Sequence, residues 1–207
     1  MEIGNLTDDM FSASSYFPTM IFSITCDEHV ALNQYLLDQI YAERERDQKG
    51  IERSNFPKLG GWHSHNNLHQ EQAYNPLTDR IHQAGQRISL QLGYHPGKKL
   101  KVGTMWSIIN APGSSDKSHI HPGCHWSGVY YVHAPESAGD IEFTDPRTSH
   151  VMNQPKFEPK NNAVKRVGLK YDIHRRLEKC LSFRAGFTTE WSQIFQTRKG
   201  AMVIVLL

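Results

Sequence analysis

Three histidines within seven positions, His119, His121 and His125, are the residues best placed to do chemistry. In extended backbone, residues i and i+2 project from one face, so the imidazoles of His119 and His121 can meet a single metal ion without straining the chain. Imidazole suits iron, zinc, copper and nickel, so the spacing points to a metal pair without naming the metal. A solvated polar loop that happens to contain histidines is the plain alternative, and the surrounding residues weigh against it.

The elements that position the pair are strands. Val102 to Asn110 is rich in β-branched and aromatic residues. It is stopped by Ala111, Pro112 and Gly113, since proline removes a ladder donor and glycine supplies the turn. After the histidine loop, Ser127 to His133 is again strand-like, and Gly139 to Thr144 forms another short strand. Tyr130 and Tyr131, adjacent on one strand, point to opposite faces, so one of them faces the interior. Trp106 and Asn110 share a face of the preceding strand and can line the same cavity. Cys124 and His125 sit at the mouth of the loop.

Read in order, the motifs are WSIINAPG from Trp106, SHIHP from Ser118, SGVYYV from Ser127 and GDIEFTDPR from Gly139. A second block, SNFPKLGGWHSHNNLH, runs from Ser54 to His69. This series resembles the 2-oxoglutarate–Fe(II) oxygenases related to prolyl hydroxylases, the second block being similar to that family's GW-x-S segment. The resemblance spans most of residues 54 to 147, and 148 to 195 match poorly. It implies a dioxygenase, a hydroxylase using Fe(II) and 2-oxoglutarate, with His119 and His121 toward the metal. Tyr130, Tyr131 and Asn110 then fall toward the co-substrate, and His125 and Trp106 behind them. It also implies a double-stranded β-helix, a jelly roll of cupin-like form.

The chain departs from the family at two places. The usual ligand motif is H-x-D/E followed by a later histidine, the facial triad on Fe(II), and here His121 stands at the carboxylate position. Asp116 and Asp140 are the nearest carboxylates in sequence, and both are poor substitutes. Lys199 to Ile204 matches the lead-in to the family's distal histidine and to the arginine that grips 2-oxoglutarate, yet the sequence then reads Val205, Leu206, Leu207. On this reading the chain is cut short, and an unclosed last strand leaves an apolar edge that a second copy would cover, giving a dimer. His150 or His174 could replace the missing ligand.

Three other readings follow from the same residues. One is a non-catalytic jelly-roll binding or assembly protein. The second is a cupin-like metalloenzyme using His119, His121 and His125 without 2-oxoglutarate. The third is a structural zinc site that adds Cys124. His63, His65 and His69 form a further, weaker candidate cluster.

The rest of the chain reads as scaffold. Its 207 residues suffice for one domain with a sizeable core. Residues 1–95 form a helical support region and 100–207 the barrel strands. The expected class is α+β, mainly β, with N-terminal helices packed on one sheet. Thr25 to Glu28 has the form of a capping box. Val30, Asn33, Leu37, Ile40 and Tyr41 follow near one helical face, and Gly50 closes the segment. Asn75 and Pro76 open a second helix, whose stripe Leu77, Ile81, Ala84, Ile88 and Leu92 ends at Gly93. Residues 169–181 suggest a short helix within a long connection of the kind that serves as a lid or substrate loop. Tyr16 to Ile24, Ser192 to Gln196 and Ala201 to Leu207 read as strands.

A formal charge of +2 with interspersed signs excludes the basic stripe of a nucleic-acid binder. No apolar run is long enough to cross a bilayer. Three widely spaced cysteines and an acidic start fit a reducing cytoplasm. The expected partner is a small-molecule or peptidyl substrate.

Overall fold

The structure, a computed structural model, describes residues 20–115, 119–135, 141–144, 170–173, 181–185, 193–197 and 200–207. Asp116, Asp140, His150 and His174, and Tyr16 to Thr19 of the expected first strand, lie outside them.

Helix α1 (His29–Arg46) buries Leu32, Leu36, Ile40 and Glu43. That stripe is rotated from the expected one, for Val30 is 71% and Tyr41 42% exposed. The row through Leu32, Leu36 and Ile40 buries more apolar surface than the row through Val30 and Tyr41, and it wins the core. The expected capping box does not form. Glu28 holds a left-handed φ of 58° at the N-cap, and no side chain caps the helix. Gly50 opens a short helix α2 (Gly50–Arg53) instead of closing α1. Its missing side chain lets the Trp62 indole approach, because a Cβ there would lie 2.1 Å from Trp62 Nε1. Helix α3 (Asn75–Gln91) has proline in its first turn and buries Leu77, Ile81, Ala84 and Ile88, as the periodicity predicts. Gly93 ends it at φ 68°.

Ten strands follow among the described residues: β1 (Ile21–Ile24), β2 (Trp62–His63), β3 (Thr104–Asn110), β4 (Ser114–Ser115), β5 (Trp126–His133), β6 (Ile141–Thr144), β7 (Lys170–Ile173), β8 (Leu181–Ala185), β9 (Gln193–Thr197) and β10 (Gly200–Leu206). They form two sheets, one of six strands in the order β1-β8-β5-β10-β3-β2 and one of four in the order β4-β9-β6-β7. Every pairing within them is antiparallel. Of the short helix expected over residues 169–181, 170–173 are strand β7 instead, because pairing with β6 overrides the local pattern, and 174–180 lie outside the described residues. The expectation of an open last strand is corrected as well. β10 is laddered to β3 on one side and β5 on the other, so its apolar run is central in the sheet. The argument for a dimer from that edge loses its premise.

The six-stranded sheet separates two apolar clusters. On one face Met105, Ile109, Trp126, Tyr130, Val132 and Val203 pack with the buried stripes of α1 and α3. On the other, Trp106, Ile108, Val129, Tyr131 and Ile204 meet Ile141 from the four-stranded sheet. Alternation along β3 and β5 sends neighbouring residues to opposite clusters, which explains why nearly every position of both strands is buried. Among the described residues no helix is long and apolar enough to cross a membrane.

Candidate metal centre

The histidine loop joins β4 to β5 and is pinned at its far end. The backbone N–H groups of His125 and Trp126 both donate to the Leu207 carbonyl, at 2.8 and 3.1 Å, and Leu207 N–H donates back to Trp126. Gly123, at φ 85°, supplies the left-handed turn before that anchor. Cys124 Sγ donates to the His121 carbonyl at 3.1 Å. The loop is therefore held by Leu207, the residue just after β10.

Within the loop the two imidazoles converge. His119 Nε2 and His121 Nε2 lie 3.2 Å apart. Two imidazoles on one metal at about 2.1 Å each stand roughly 3.0–3.4 Å apart at neighbouring coordination corners, so the pair already has the separation of a chelate. His121 Nδ1 is 2.8 Å from Ser127 Oγ. With Nδ1–H donating to that hydroxyl, Nε2 keeps the lone pair a metal needs. Trp106 meets His121 edge-on, with ring centroids 5.5 Å apart. Burial, and after it the neighbouring His119, lowers the His121 pKa from 6.5 to about 4. Its imidazole is thus neutral and ligand-ready at neutral pH.

Not every expected site residue arrives at this place. Trp106 does, with His63 of β2 stacked on it at 5.9 Å and 14° between planes. Tyr131 lies in the same intersheet cluster. Tyr130 faces the helices, where its hydroxyl donates to Asn33 Oδ1 of α1. Asn110 stands four residues along β3 from Trp106, about 13 Å away. There it helps line a separate pocket of about 340 Å³ beside Leu37, Tyr41 and Arg44. His125 is exposed.

No group of three ligating side chains forms among the described residues. The three-histidine set with His125, the zinc set with Cys124 and the upstream histidine cluster are therefore not assembled there. In that upstream cluster His63 stacks on Trp106, while His65 Nε2 approaches Asp47 Oδ2 at 3.6 Å. Ser127 is the residue that sequence reading missed. Its only signal is that it stands one position inside the strand following the loop.

Comparison with known proteins agrees with the resemblance read from the sequence. Residues 104–176 match a family model described as "Putative 2OG-Fe(II) oxygenase". That stretch runs from β3 through both histidines to just beyond β7. Among solved structures, the chain is similar to a Pseudomonas putida prolyl-4-hydroxylase at 12% identity and a TM-score of 0.56, covering 90% of this chain and 91% of that one. It also matches the non-heme alpha ketoglutarate dependent epimerase SnoN from nogalamycin biosynthesis at 11% identity and a TM-score of 0.45, covering 90% and 76%. No curated protein matches it in sequence.

Proposed function

From a chain whose residues 104–176 carry the pattern of a 2-oxoglutarate–Fe(II) oxygenase, we propose an Fe(II)- and 2-oxoglutarate-dependent dioxygenase that hydroxylates a small-molecule or peptidyl substrate. Its two sheets are read as the halves of a jelly roll. The observation that carries the proposal is the 3.2 Å approach of His119 Nε2 and His121 Nε2, with the other nitrogen of His121 held by Ser127.

In this reading His119 and His121 hold the metal. Bound iron and 2-oxoglutarate supply the oxidation, in which the 2-oxo acid and O₂ yield succinate and CO₂ as a substrate C–H becomes C–OH. The chain's own residues do the positioning. Ser127 fixes the ring of His121, Trp106 closes one side of it, and Ile108, Val129 and Ile204 line an apolar wall beyond. Such a wall keeps water from the reacting centre.

Two adjacent imidazoles leave a carboxylate as the missing member of a two-histidine, one-carboxylate set. Carboxylates near the loop and strands in sequence but outside the described residues include Asp116, Glu136, Asp140, Asp145 and Glu190. Glu190 stands three residues ahead of β9, the strand laddered to β4, which leads into the histidine loop.

Anaerobic titration with Fe(II) and 2-oxoglutarate tests the reading through the charge-transfer absorption of the chelate. The band is expected in the wild type, lost in H119A and H121A, and lost or strongly weakened in one of D116N, E136Q, D140N, D145N and E190Q. The replacement of the family's carboxylate by His121 favours, as the second reading, a non-catalytic binding protein of the same fold. Wild-type protein that shows no band and forms no succinate selects it.

A further inference from the structure

The histidine pair lies at one end of the six-stranded sheet, and a second concave site lies toward the other. Thr104 of β3 and Ser127 of β5 both stand opposite Leu206 of β10, whereas Ile109 and His133 both stand opposite Ala201. The chain from Ala201 to Leu206 covers about 17 Å of strand. At the Ala201 end, α1 and the turn after β3 line the pocket of about 340 Å³ that includes Asn110. Its size suits a small molecule.

The lining divides by chemistry. Leu37, Ile109 and Pro112 supply an apolar wall, and Arg44, Asn110 and His133 supply polar atoms. None of its described residues is a carboxylate. Arg44 is oriented by one bond, from Nη2 to the Gly60 carbonyl at 3.0 Å. A guanidinium has five N–H donors, and among the described residues no carboxylate pairs with this one. The pocket thus holds a cation with donors to spare.

Asn110 is an independent sign of a ligand. The residue is 3% exposed, and its Nδ2 has no hydrogen-bond partner among the described residues. A buried N–H left unpaired is costly, and such groups in native proteins call for an explanation. An acceptor held in the pocket supplies one.

We propose that this pocket binds a small carboxylic acid with an apolar body. Its carboxylate lies between Arg44 and Asn110, and its body lies against Leu37, Ile109 and Pro112. A carboxylate only accepts, so its two oxygens can take an N–H from the guanidinium and one from the amide. A neutral acceptor would answer the amide and leave the charge of Arg44 unmatched. The site uses neither histidine of the pair and no metal, so it stands apart from the oxygenase reading.

The test compares phenylacetate with its uncharged isostere phenylacetamide on full-length protein by calorimetry, with and without Fe(II). The wild type should prefer the acid, with the same affinity in both conditions. R44M should lower that preference about 10- to 100-fold and N110A about 10-fold, while R44K retains part of it. The preference is a ratio within one variant, so a reduced folded fraction cancels. If R44M cannot be obtained folded, R44K and N110A carry the same comparison. N-Acetylphenylalanine presents the same ring and carboxylate as a peptide end. Binding tighter than that of phenylacetate makes the natural ligand a peptide terminus, and weaker binding makes it a free acid. A wild type that binds acid and amide equally, or neither, overturns the proposal, as does R44M with an undiminished preference. Acid binding that appears only with Fe(II) places the acid at the histidine pair and overturns it too.

Discussion

His121 is contacted from three sides. One nitrogen is 2.8 Å from Ser127 Oγ, the other is 3.2 Å from His119, and the indole of Trp106 flanks the ring. Removing the hydroxyl in S127A should weaken metal binding about 10-fold or more while leaving the fold intact, as loss of outer-shell partners does elsewhere. Metal titration against the far-ultraviolet spectrum separates the two effects. The same ring makes a prediction about pH. Its folded pKa of about 4 lies below the ordinary 6.5, so the unfolded chain takes the proton first. Metal-free protein should lose stability as pH falls from about 6.5 toward about 4. Ring resonances should place the His121 midpoint near 4, and a midpoint near 6.5 would refute the buried environment. The pair itself was legible from the two-residue spacing of His119 and His121. Its partners were not, because Ser127 and Trp106 reach it only once β3 and β5 are paired through β10.

At the scale of elements, contacts between segments decide what local pattern leaves open. α3 was readable in its span and buried face, since proline, a clean apolar stripe and glycine all agree with its packing, although Tyr74 and not the expected Asn75 is its N-cap. α1 was readable as a helix but not in its rotation, because two rows of apolar residues competed for the same sheet. β7 and β8 were hidden in polar sequence whose strand character comes from β6, β5 and β1. Gly50 shows the same dependence in a single contact. Trp62 Nε1 donates to the Asp47 carbonyl at 2.9 Å across the space a side chain would fill. G50A should cost about 1–3 kcal/mol through overpacking, measurable as a lower urea midpoint. An unchanged midpoint would mean that the indole can leave its seat freely.

At the scale of the whole molecule, the six-stranded sheet has its covered centre at β10. That strand is paired along its full length with β3 and almost as fully with β5. Amide exchange should accordingly be slowest at Val203 and Ile204, approaching the global unfolding limit. Faster exchange there than in α3 would contradict the central placement. The mixed class, helices before residue 95 and antiparallel strands after 100, was legible from helical periodicity and strand density. The position of β10 was not, because an apolar run reads the same in the middle of a sheet as at its edge.

That central placement also bears on how the protein is made. As the chain leaves the ribosome, β3 and β5 are synthesised with a gap between them that only residues 200–206 fill. Both keep an unpaired flank until then. The clasp on the histidine loop, the Leu207 carbonyl, arrives only after β10. Nascent chains shorter than this should therefore be vulnerable to aggregation and dependent on chaperones. The long sequence separations of these pairings should make the final insertion slow. Metal added during translation would find a complete histidine loop only once Leu207 has emerged and docked.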